Sequence, residues 1–571
     1  MTEFMSEYNR WLNFADSETK KELESIKDNE QEIQYRFSSN LSFGTAGLRG
    51  IMMAGRNAMN VYTVAQATKG LADLINAEGG AERGVCIGYD SRNNSELFAK
   101  ISAGVLAENG IKVYIYDELR PTPMISFGLR FLGCIAGINI TASHNPKEYN
   151  GYKVYWEDGA QISPEQAKTV SASIQRTDIF SVACMDFDEG VKSGAITVLS
   201  RDVDEEYLKN VMEQAVDKTI VPKMADSMGM VYTPFNGAGY RLIPEVFKRA
   251  GFKHVYPVDA QSYPDGNFPT LKSPNPENAE GFELGIKVAE ETGCDLVVAS
   301  DPDADRVGVM ARNKEGKFVT ISGNRMGALL LDYILTAYTE NGTMPADPYA
   351  VKTIVSTNLA AAICDAFGVK LYDVLTGFKY IGEVIKNSEK TGVGFFVLGF
   401  EESYGYLKGT YARDKDAVVA SMLIAEMAAY YKSKNMTLCD ALDKLFEKYG
   451  YFCEKTINIE MKGFDGPARM KALMEGIRAN TPESFAGRKV VTVKDYLAGT
   501  VTDLASGSVE PTGLPESDVM YFVTEDGTAV IFRPSGTEPK VKLYLLGSDK
   551  TAELAEAKLA EFEASARELC K

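Results

Sequence analysis

Glu108-Asn109-Gly110-Ile111-Lys112-Val113-Tyr114 reads as the end of a helix, a glycine that stops it, and the first residues of a strand. The same figure returns as Arg249-Ala250-Gly251-Phe252-Lys253-His254-Val255-Tyr256 and again as Ala366-Phe367-Gly368-Val369-Lys370-Leu371-Tyr372. A further strand candidate precedes each one: Val85 to Tyr89, Met228 to Tyr232, and Val351 to Val355. A spacing of more than a hundred residues is too long for a solenoid and predicts three similar α/β domains, with chance recurrence of one common αβ unit as the alternative. Beyond them, helical patterns at Ala468 to Ala479 and Thr551 to Leu569 flank strand candidates at Val519 to Val523, Ala529 to Arg533 and Lys540 to Leu546. That part reads as a smaller α+β domain. Residues 1 to about 38 read as an amphipathic helical extension packed on the first domain. The boundaries are expected at 1–205, 206–318, 319–448 and 449–571.

A chain of 571 residues exceeds the usual size of one core and predicts about three to five domains. Hydrophobic content of 45% and charged content of 25% are those of a globular protein. The net charge of −18 disfavours nucleic acid and anionic membrane as partners, because both require a broad basic surface. An anionic ligand must therefore be met by local Arg and Lys. Eight cysteines without a CxxC pair fit buried free thiols in a reducing compartment, so the cytoplasm is expected. The N-terminus shows no signal-peptide apolar core, and no apolar run approaches the ~18 to 20 residues that span a bilayer.

Chemistry concentrates in loops. The apolar run Leu296-Val297-Val298-Ala299 leads into Ser300-Asp301-Pro302-Asp303-Ala304-Asp305-Arg306 and out through Val307-Gly308-Val309-Met310. Three alternating carboxylates between two strands read as a loop for a hard cation such as Mg²⁺, which commonly works on phosphate groups. An EF-hand is excluded, because its sixth position would be Arg306 and its twelfth Arg312. A solvated edge is the plainer alternative, against which the mutual repulsion of three carboxylates argues.

A second loop, Thr141-Ala142-Ser143-His144-Asn145-Pro146, follows the apolar run Cys134 to Ile140. Ser143 is a candidate nucleophile or phosphate carrier, with an ordinary turn serine as the alternative. No GxSxG elbow surrounds it, which disfavours an acyl-transfer hydrolase. In Asn150-Gly151-Tyr152-Lys153 the glycine is expected to make a tight turn that returns Lys153 towards Ser143 as clamp or proton shuttle. Phe532-Arg533-Pro534-Ser535-Gly536-Thr537-Glu538-Pro539 has the small residues and the Arg fork of an anion loop. Phe43-Gly44-Thr45-Ala46-Gly47-Leu48-Arg49-Gly50 is a weaker example of the same type. Gly399-Phe400-Glu401-Glu402-Ser403-Tyr404-Gly405 follows a buried-strand candidate, Val393 to Leu398. Glu401 and Ser403 there could accept sugar hydroxyls, or the segment is a solvated turn.

From Phe43 to Tyr544 these five loops, in this order, resemble the α-D-phosphohexomutase superfamily, which contains phosphoglucomutases and phosphomannomutases. The Phe43–Gly50 opening and Phe268-Pro269-Thr270-Leu271-Lys272-Ser273-Pro274-Asn275-Pro276 are most similar to the longer bacterial phosphoglucomutases related to phosphopentomutase-type enzymes. The resemblance implies three similar α/β domains with mixed sheets and a C-terminal α+β domain around a central cleft. It implies that Ser143 carries a phosphoryl group and, with Asp301, Asp303 and Asp305, binds Mg²⁺. Arg49, His144, Lys153 and Arg306 match positions around the phosphoserine, with Lys153 as general acid or base. Thr376, Gly377 and Lys379 match a loop that reads sugar orientation, Glu401 and Ser403 match sugar-hydroxyl contacts, and Arg533, Ser535, Gly536 and Thr537 match a distal phosphate site. At Pro234-Phe235-Asn236-Gly237 many relatives carry His where this chain has Asn236.

The expected activity is interconversion of glucose 1-phosphate and glucose 6-phosphate, with a sugar 1,6-bisphosphate as intermediate and activator. A phosphopentomutase or phosphomannomutase, and then a Mg²⁺-dependent sugar phosphatase, are the alternatives. The expected partner is a small-molecule sugar phosphate, with no nucleic acid or membrane, and the protein is expected to be a monomer or homodimer.

Overall fold

The computed structural model describes residues 2–45, 47–461, 465–536 and 540–570. The chain divides into two compact units: Met1–Ile321 with Gly382–Thr391 and Gly405–Thr437, and Ser322–Ile381 with Gly392–Tyr404 and Leu438–Lys571.

The first unit opens with helices Glu3–Phe14, Ser17–Ser25 and Glu30–Phe37. Their apolar faces meet around Trp11, Leu23, Ile33 and Phe37, together with Ala54 and Ile179 of the first α/β layer. The expected helical extension is therefore a packed one. The Asp16 amide fastens it to the helix Val61–Ala77 by donating to Tyr62 Oη at 2.7 Å.

A six-stranded mixed sheet comes next, in the order Leu48–Ile51, Tyr149–Trp156, Ala136–Ile140, Val85–Tyr89, Val113–Tyr116, Ile196–Leu199. Val85–Tyr89 runs parallel to Val113–Tyr116 and Ala136–Ile140, whereas Ala136–Ile140 turns back antiparallel into Tyr149–Trp156. The five-stranded sheet repeats the plan. Gly229–Thr233 is parallel to His254–Pro257 and Leu296–Ser300, and Leu296–Ser300 turns back antiparallel into Val307–Arg312. Leu296–Ser300 and Ala136–Ile140 are buried throughout, as expected of strands covered on both faces.

In the second unit, parallel strands Lys370–Val374, Pro348–Thr353 and Phe395–Glu401 form the core of the third repeat. The C-terminal part is an antiparallel sheet of eight strands. Helices Gly466–Ala479 and Ala552–Glu568 lie against it, which makes it the expected α+β domain. Strands Tyr451–Glu460, Ser484–Phe485, Arg488–Asp495, Thr500–Asp503 and Val509–Pro511 add to the three that the apolar runs indicate. Tyr451–Glu460 and Thr500–Asp503 are half-exposed and Val509–Pro511 is exposed throughout, so none of these three carries a continuous apolar run.

The helix-stop glycines Gly110, Gly251 and Gly368 all have positive φ and follow helices that end at Glu108, Ala250 and Phe367. Two expectations need correction. Gly151 makes no turn: it lies inside the strand Tyr149–Trp156. A Cβ there would meet the Thr141 carbonyl oxygen at 2.4 Å and that of Leu48 at 2.9 Å, so the glycine serves the close approach of two neighbouring strands. Lys153 is thus aimed by the two-residue alternation of a strand. The buried strand placed at Val393 begins at Phe395 and runs to Glu401, with Val393 itself 64% exposed. Glu401 consequently sits on the end of a strand. Gly151→Ala is expected to cost about 1–3 kcal/mol through overpacking, read as a lower urea midpoint; an unchanged midpoint would show that the strands can part without loss.

Candidate active site

The serine loop springs from the end of the buried strand Ala136–Ile140. The Ser143 amide donates to Thr141 Oγ1 at 2.8 Å, and Thr141 Oγ1 in turn donates to Asp90 Oδ2 at 2.6 Å. This holds Ser143 in the left-handed region, φ 53°, where its side chain leaves the turn. Its hydroxyl donates to Asp301 Oδ2 at 2.9 Å and lies 3.2 Å from His144 Nδ1. Burial, and then Arg306 and Arg49, push the His144 imidazole well below its usual pKa, which keeps it neutral at pH 7.

Asp301, Asp303 and Asp305 occupy the hairpin between Leu296–Ser300 and Val307–Arg312 and are all buried. Ala304, at φ 48°, turns the chain between the second and third carboxylates. Asp301 Oδ1 accepts from the backbone N–H groups of Asp305 and Arg306, both at 3.0 Å. Asp303 Oδ2 accepts from Thr122 Oγ1 and from Lys153 Nζ, both at 2.7 Å. Asp305 Oδ2 lies 3.2 Å from Lys153 Nζ and 3.1 Å from Lys415 Nζ. Burial opposes the charge on Asp303, but Lys153 outweighs it and holds this carboxyl far below the usual carboxylate range. Burial, and then Asp303 and Asp305, push Asp301 well above that range. Burial also opposes the charge on Lys153, yet its two carboxylate partners prevail and its pKa rises.

The triad fits a cation. One oxygen from each of the three lies within 4.8 Å of the others, and Asp303 Oδ1 and Asp305 Oδ1 are buried without a hydrogen-bond partner. An all-oxygen set of this kind suits a hard divalent ion. The solvated-edge reading fails on the burial alone.

Around this centre Arg49, on the strand Leu48–Ile51 that pairs antiparallel with Tyr149–Trp156, donates to Asn145 Oδ1 at 3.0 Å. Arg306 turns to Glu277 Oε1 at 2.8 Å, with its Nε 3.9 Å from Asp305 Oδ1. The first unit therefore brings together Ser143, His144, Lys153, Arg49, Arg306 and the three aspartates. Sequence reasoning did not assign Thr122, Lys415 or the pair Asp90 and Arg92. Lys415 stood out only as part of the charged run Arg413-Asp414-Lys415-Asp416, and nothing in its spacing tied it to Asp305. Asn236 donates to the Tyr263 carbonyl oxygen at 2.8 Å and ties two loops together.

The second unit gathers the remaining candidates. Glu401 is buried at a strand end, and its neighbour Glu402 accepts from Thr353 Oγ1 at 3.1 Å. Burial, and then Glu401, push the Glu402 carboxyl up. Arg533 NH1 donates to Tyr544 Oη at 3.2 Å. Burial, and next the charge of Glu402, raise the Tyr544 hydroxyl's pKa, so the Glu401–Glu402 loop and the Arg533 strand are electrostatic neighbours. The Ser535 amide donates to the Lys540 carbonyl oxygen at 2.9 Å, and Gly536 is exposed beside it. Thr376 Oγ1 is buried without a hydrogen-bond partner in its loop with Gly377, while Lys379 Nζ lies 4.9 Å from the Tyr380 ring centroid. Ser403 is half-buried, and Thr537 lies outside the described residues.

Three family models match in succession: phosphoglucomutase/phosphomannomutase α/β/α domain I over residues 40–179, domain II over 205–316, and domain III over 322–449. The chain belongs to the phosphoglucomutase/phosphomannomutase family. It is 35% identical over 517 residues to a phosphoglucomutase of Staphylococcus saprophyticus, covering 90% of this chain and 92% of that one. A phosphoglucomutase of Staphylococcus epidermidis is also 35% identical, over 540 residues, with 94% and 96% covered. Two solved structures share the fold. A phosphoglucomutase/phosphomannomutase family protein of Burkholderia thailandensis has TM-score 0.65 and 18% identity, with 93% and 97% of the chains covered. The open form of Paramecium pp63/parafusin, a phosphoglucomutase, has TM-score 0.65 and 17% identity, with 90% and 91% covered. Among the described residues of this family member no helix is long and apolar enough to cross a membrane. All eight cysteines are free; five are buried and Cys184 is exposed.

A divalent cation at ~100 times its dissociation constant is expected to stabilise the protein by about 2.7 kcal/mol, seen as a raised melting temperature that Asp301→Asn abolishes. Identical melting curves with and without Mg²⁺ or Mn²⁺ would remove the metal site.

Proposed function

We propose that this protein is a phosphoglucomutase that interconverts glucose 1-phosphate and glucose 6-phosphate through a phosphoserine at Ser143 and a glucose 1,6-bisphosphate intermediate. The observation that carries this reading is the hydrogen bond from the Ser143 hydroxyl to Asp301 of a buried carboxylate triad, in a member of this family. Family membership and the 35% identical phosphoglucomutases support the sugar assignment.

In this mechanism the phosphoryl group leaves Ser143 Oγ for a free sugar hydroxyl. The bond from phosphorus to Ser143 Oγ breaks, a bond to the sugar oxygen forms, and the proton of the attacking hydroxyl passes to a base on the protein. Lys153 Nζ is the group assigned to this proton: with its pKa raised by Asp303 and Asp305 it is the acid that returns it, and a cation on those carboxylates would weaken that attraction and let it serve as the base. After the bisphosphate turns over, its other phosphoryl group returns to Ser143 Oγ, and the sugar oxygen regains a proton. Asp301, Asp303 and Asp305, with Ser143, would hold Mg²⁺, which when bound offsets charge on the transferring phosphoryl group. Arg49 and Arg306 supply further positive charge near the serine loop, and neutral His144 offers a hydrogen-bonding nitrogen beside Oγ. Arg533, Ser535, Gly536 and Thr537 are assigned to the phosphate that is not reacting, Glu401 and Ser403 to sugar hydroxyls, and Thr376, Gly377 and Lys379 to sugar orientation. The eight free thiols support a cytoplasmic location.

A phosphopentomutase or phosphomannomutase would use the same steps. Initial rates on glucose 1-phosphate, mannose 1-phosphate and ribose 1-phosphate, each with glucose 1,6-bisphosphate added, are expected to be highest on the glucose ester; a clear preference for another sugar would overturn that assignment. Ser143→Ala is expected to lower turnover by more than about 10³-fold while calorimetry still detects glucose 6-phosphate binding. Near-normal turnover by this variant would end the phosphoserine reading, and stoichiometric release of inorganic phosphate by the parent protein would point to a phosphatase.

A further inference from the structure

The loop that bears Ser143 is short, leaves a buried strand, and contains a residue in a conformation that L side chains disfavour. Something must hold it. The adjoining strand Val85–Tyr89 ends at Asp90-Ser91-Arg92, and because the two strands are parallel neighbours their following loops lie side by side. Arg92 is 3% exposed and extends its guanidinium under the serine loop. One terminal nitrogen donates to the carbonyl oxygens of Ser143 at 2.6 Å and Asn145 at 2.5 Å. The other donates to the carbonyl oxygens of Pro146 at 2.9 Å and Tyr149 at 3.1 Å. Four main-chain carbonyls of one turn thus converge on a single planar cation.

That cation is itself fixed. Its Nε lies 3.3 Å from Asp90 Oδ2, and both side chains are fully buried. Asp90 also accepts from Thr141 Oγ1, Ser95 Oγ and the Arg92 amide, so its carboxylate cannot swing away. Below the guanidinium lies the ring of Phe268, with its centroid 5.2 Å from Cζ. From the same segment as Phe268, the Ser273 hydroxyl donates to the His144 carbonyl oxygen at 2.8 Å. Every carbonyl from Ser143 to Pro146 is therefore held by a side chain outside the loop.

We propose that Arg92 is a positioning residue for phosphoryl transfer: by binding the Ser143, Asn145, Pro146 and Tyr149 carbonyls in one plane it holds Ser143 left-handed, with its Oγ aimed at Asp301. A lysine cannot reproduce this. Its ammonium is a compact point with three tetrahedral donors, whereas the guanidinium is a rigid fork. Arg92 makes its hydrogen bonds to the loop and none to Oγ or the triad; its charge is felt at Asp301 and Asp303, a contribution that Arg92→Lys would keep, whereas the loop's geometry depends on the fork, and a displacement of about 1 Å at a reacting atom can cost about 10²-fold in rate.

This inference rests on the mutase reading, and the test separates the two. The parent protein and the variants Arg92→Lys, Arg92→Ala and Phe268→Leu are labelled with radioactive phosphate from glucose 1,6-bisphosphate, and turnover is expressed per labelled site. Expected for both Arg92 variants is a per-site kcat about 10 to 100-fold lower with KM for glucose 1-phosphate within threefold of the parent. Phe268→Leu, which removes the ring and no hydrogen bond, is expected to show a loss of about threefold of the same kind. Guanidinium at millimolar concentration should restore Arg92→Ala several-fold, and methylammonium should not. A purely structural role would lower the number of labelled sites and leave the rate per site unchanged; that result, or full activity in Arg92→Lys, overturns the proposal. If neither Arg92 variant folds, an unchanged per-site rate in Phe268→Leu overturns it. A parent protein that takes up no label would instead defeat the mutase reading.

Discussion

Three carboxylates buried with an oxygen from each inside 4.8 Å set the terms for the whole first unit. Burying even one uncompensated charge is costly, and three of the same sign repel one another as well. The surroundings answer with the Lys153 and Lys415 ammonium groups, the Thr122 and Ser143 hydroxyls, and two backbone N–H groups on Asp301. Each of these comes from an element that must be correctly placed for the charge to be tolerated. The electrostatic demand of the hairpin Leu296–Arg312 therefore ties the six-stranded and five-stranded sheets together, and the same demand fits a divalent ion.

The repeats explain where chemistry accumulates. Ala136–Ile140 and Leu296–Ser300 are corresponding strands, each parallel to the first strand of its repeat and each turning back antiparallel afterwards. The serine loop follows one and the carboxylate triad the other. Phe395–Glu401 in the third repeat is likewise parallel to the first strand there and is followed by Glu402 and Ser403. All three loops contain one non-glycine residue in the left-handed region: Ser143, Ala304 and Tyr404. A sharp turn at a strand's end lifts side chains out of the sheet, at a cost of roughly 1–2 kcal/mol per such residue, so one backbone device presents three different sets of side chains. The fold does not dictate which chemistry; the side chains grafted on the turn do.

Much of this is legible in the sequence because it is local. A glycine that ends a helix announces itself wherever the next residues are apolar, which is why Gly110, Gly251 and Gly368 mark the three repeats. Asp301, Asp303 and Asp305 sit close together simply because they alternate within a short hairpin. Gly151 departs from its expectation for an instructive reason. A glycine in a polar-looking stretch suggests a turn, but this one makes room for the carbonyls of Thr141, just past the end of one neighbouring strand, and of Leu48 on the other. The strands of the C-terminal sheet are partly hidden, since half-exposed antiparallel strands need no continuous apolar run.

By itself the sequence determined the repeat, the loop of alternating carboxylates and the identity of Ser143's neighbours, because these depend on spacing along the backbone and on the chemistry of each side chain. Tertiary structure decided what those groups face: that Ser143 meets Asp301, that Lys153 and Lys415 converge on Asp305, and that Arg92 grips four carbonyls of the serine loop. Such pairings join residues 51 to 158 positions apart. Their strength falls off within a few ångströms, so only the packed sheets, which fix those distances, can select them.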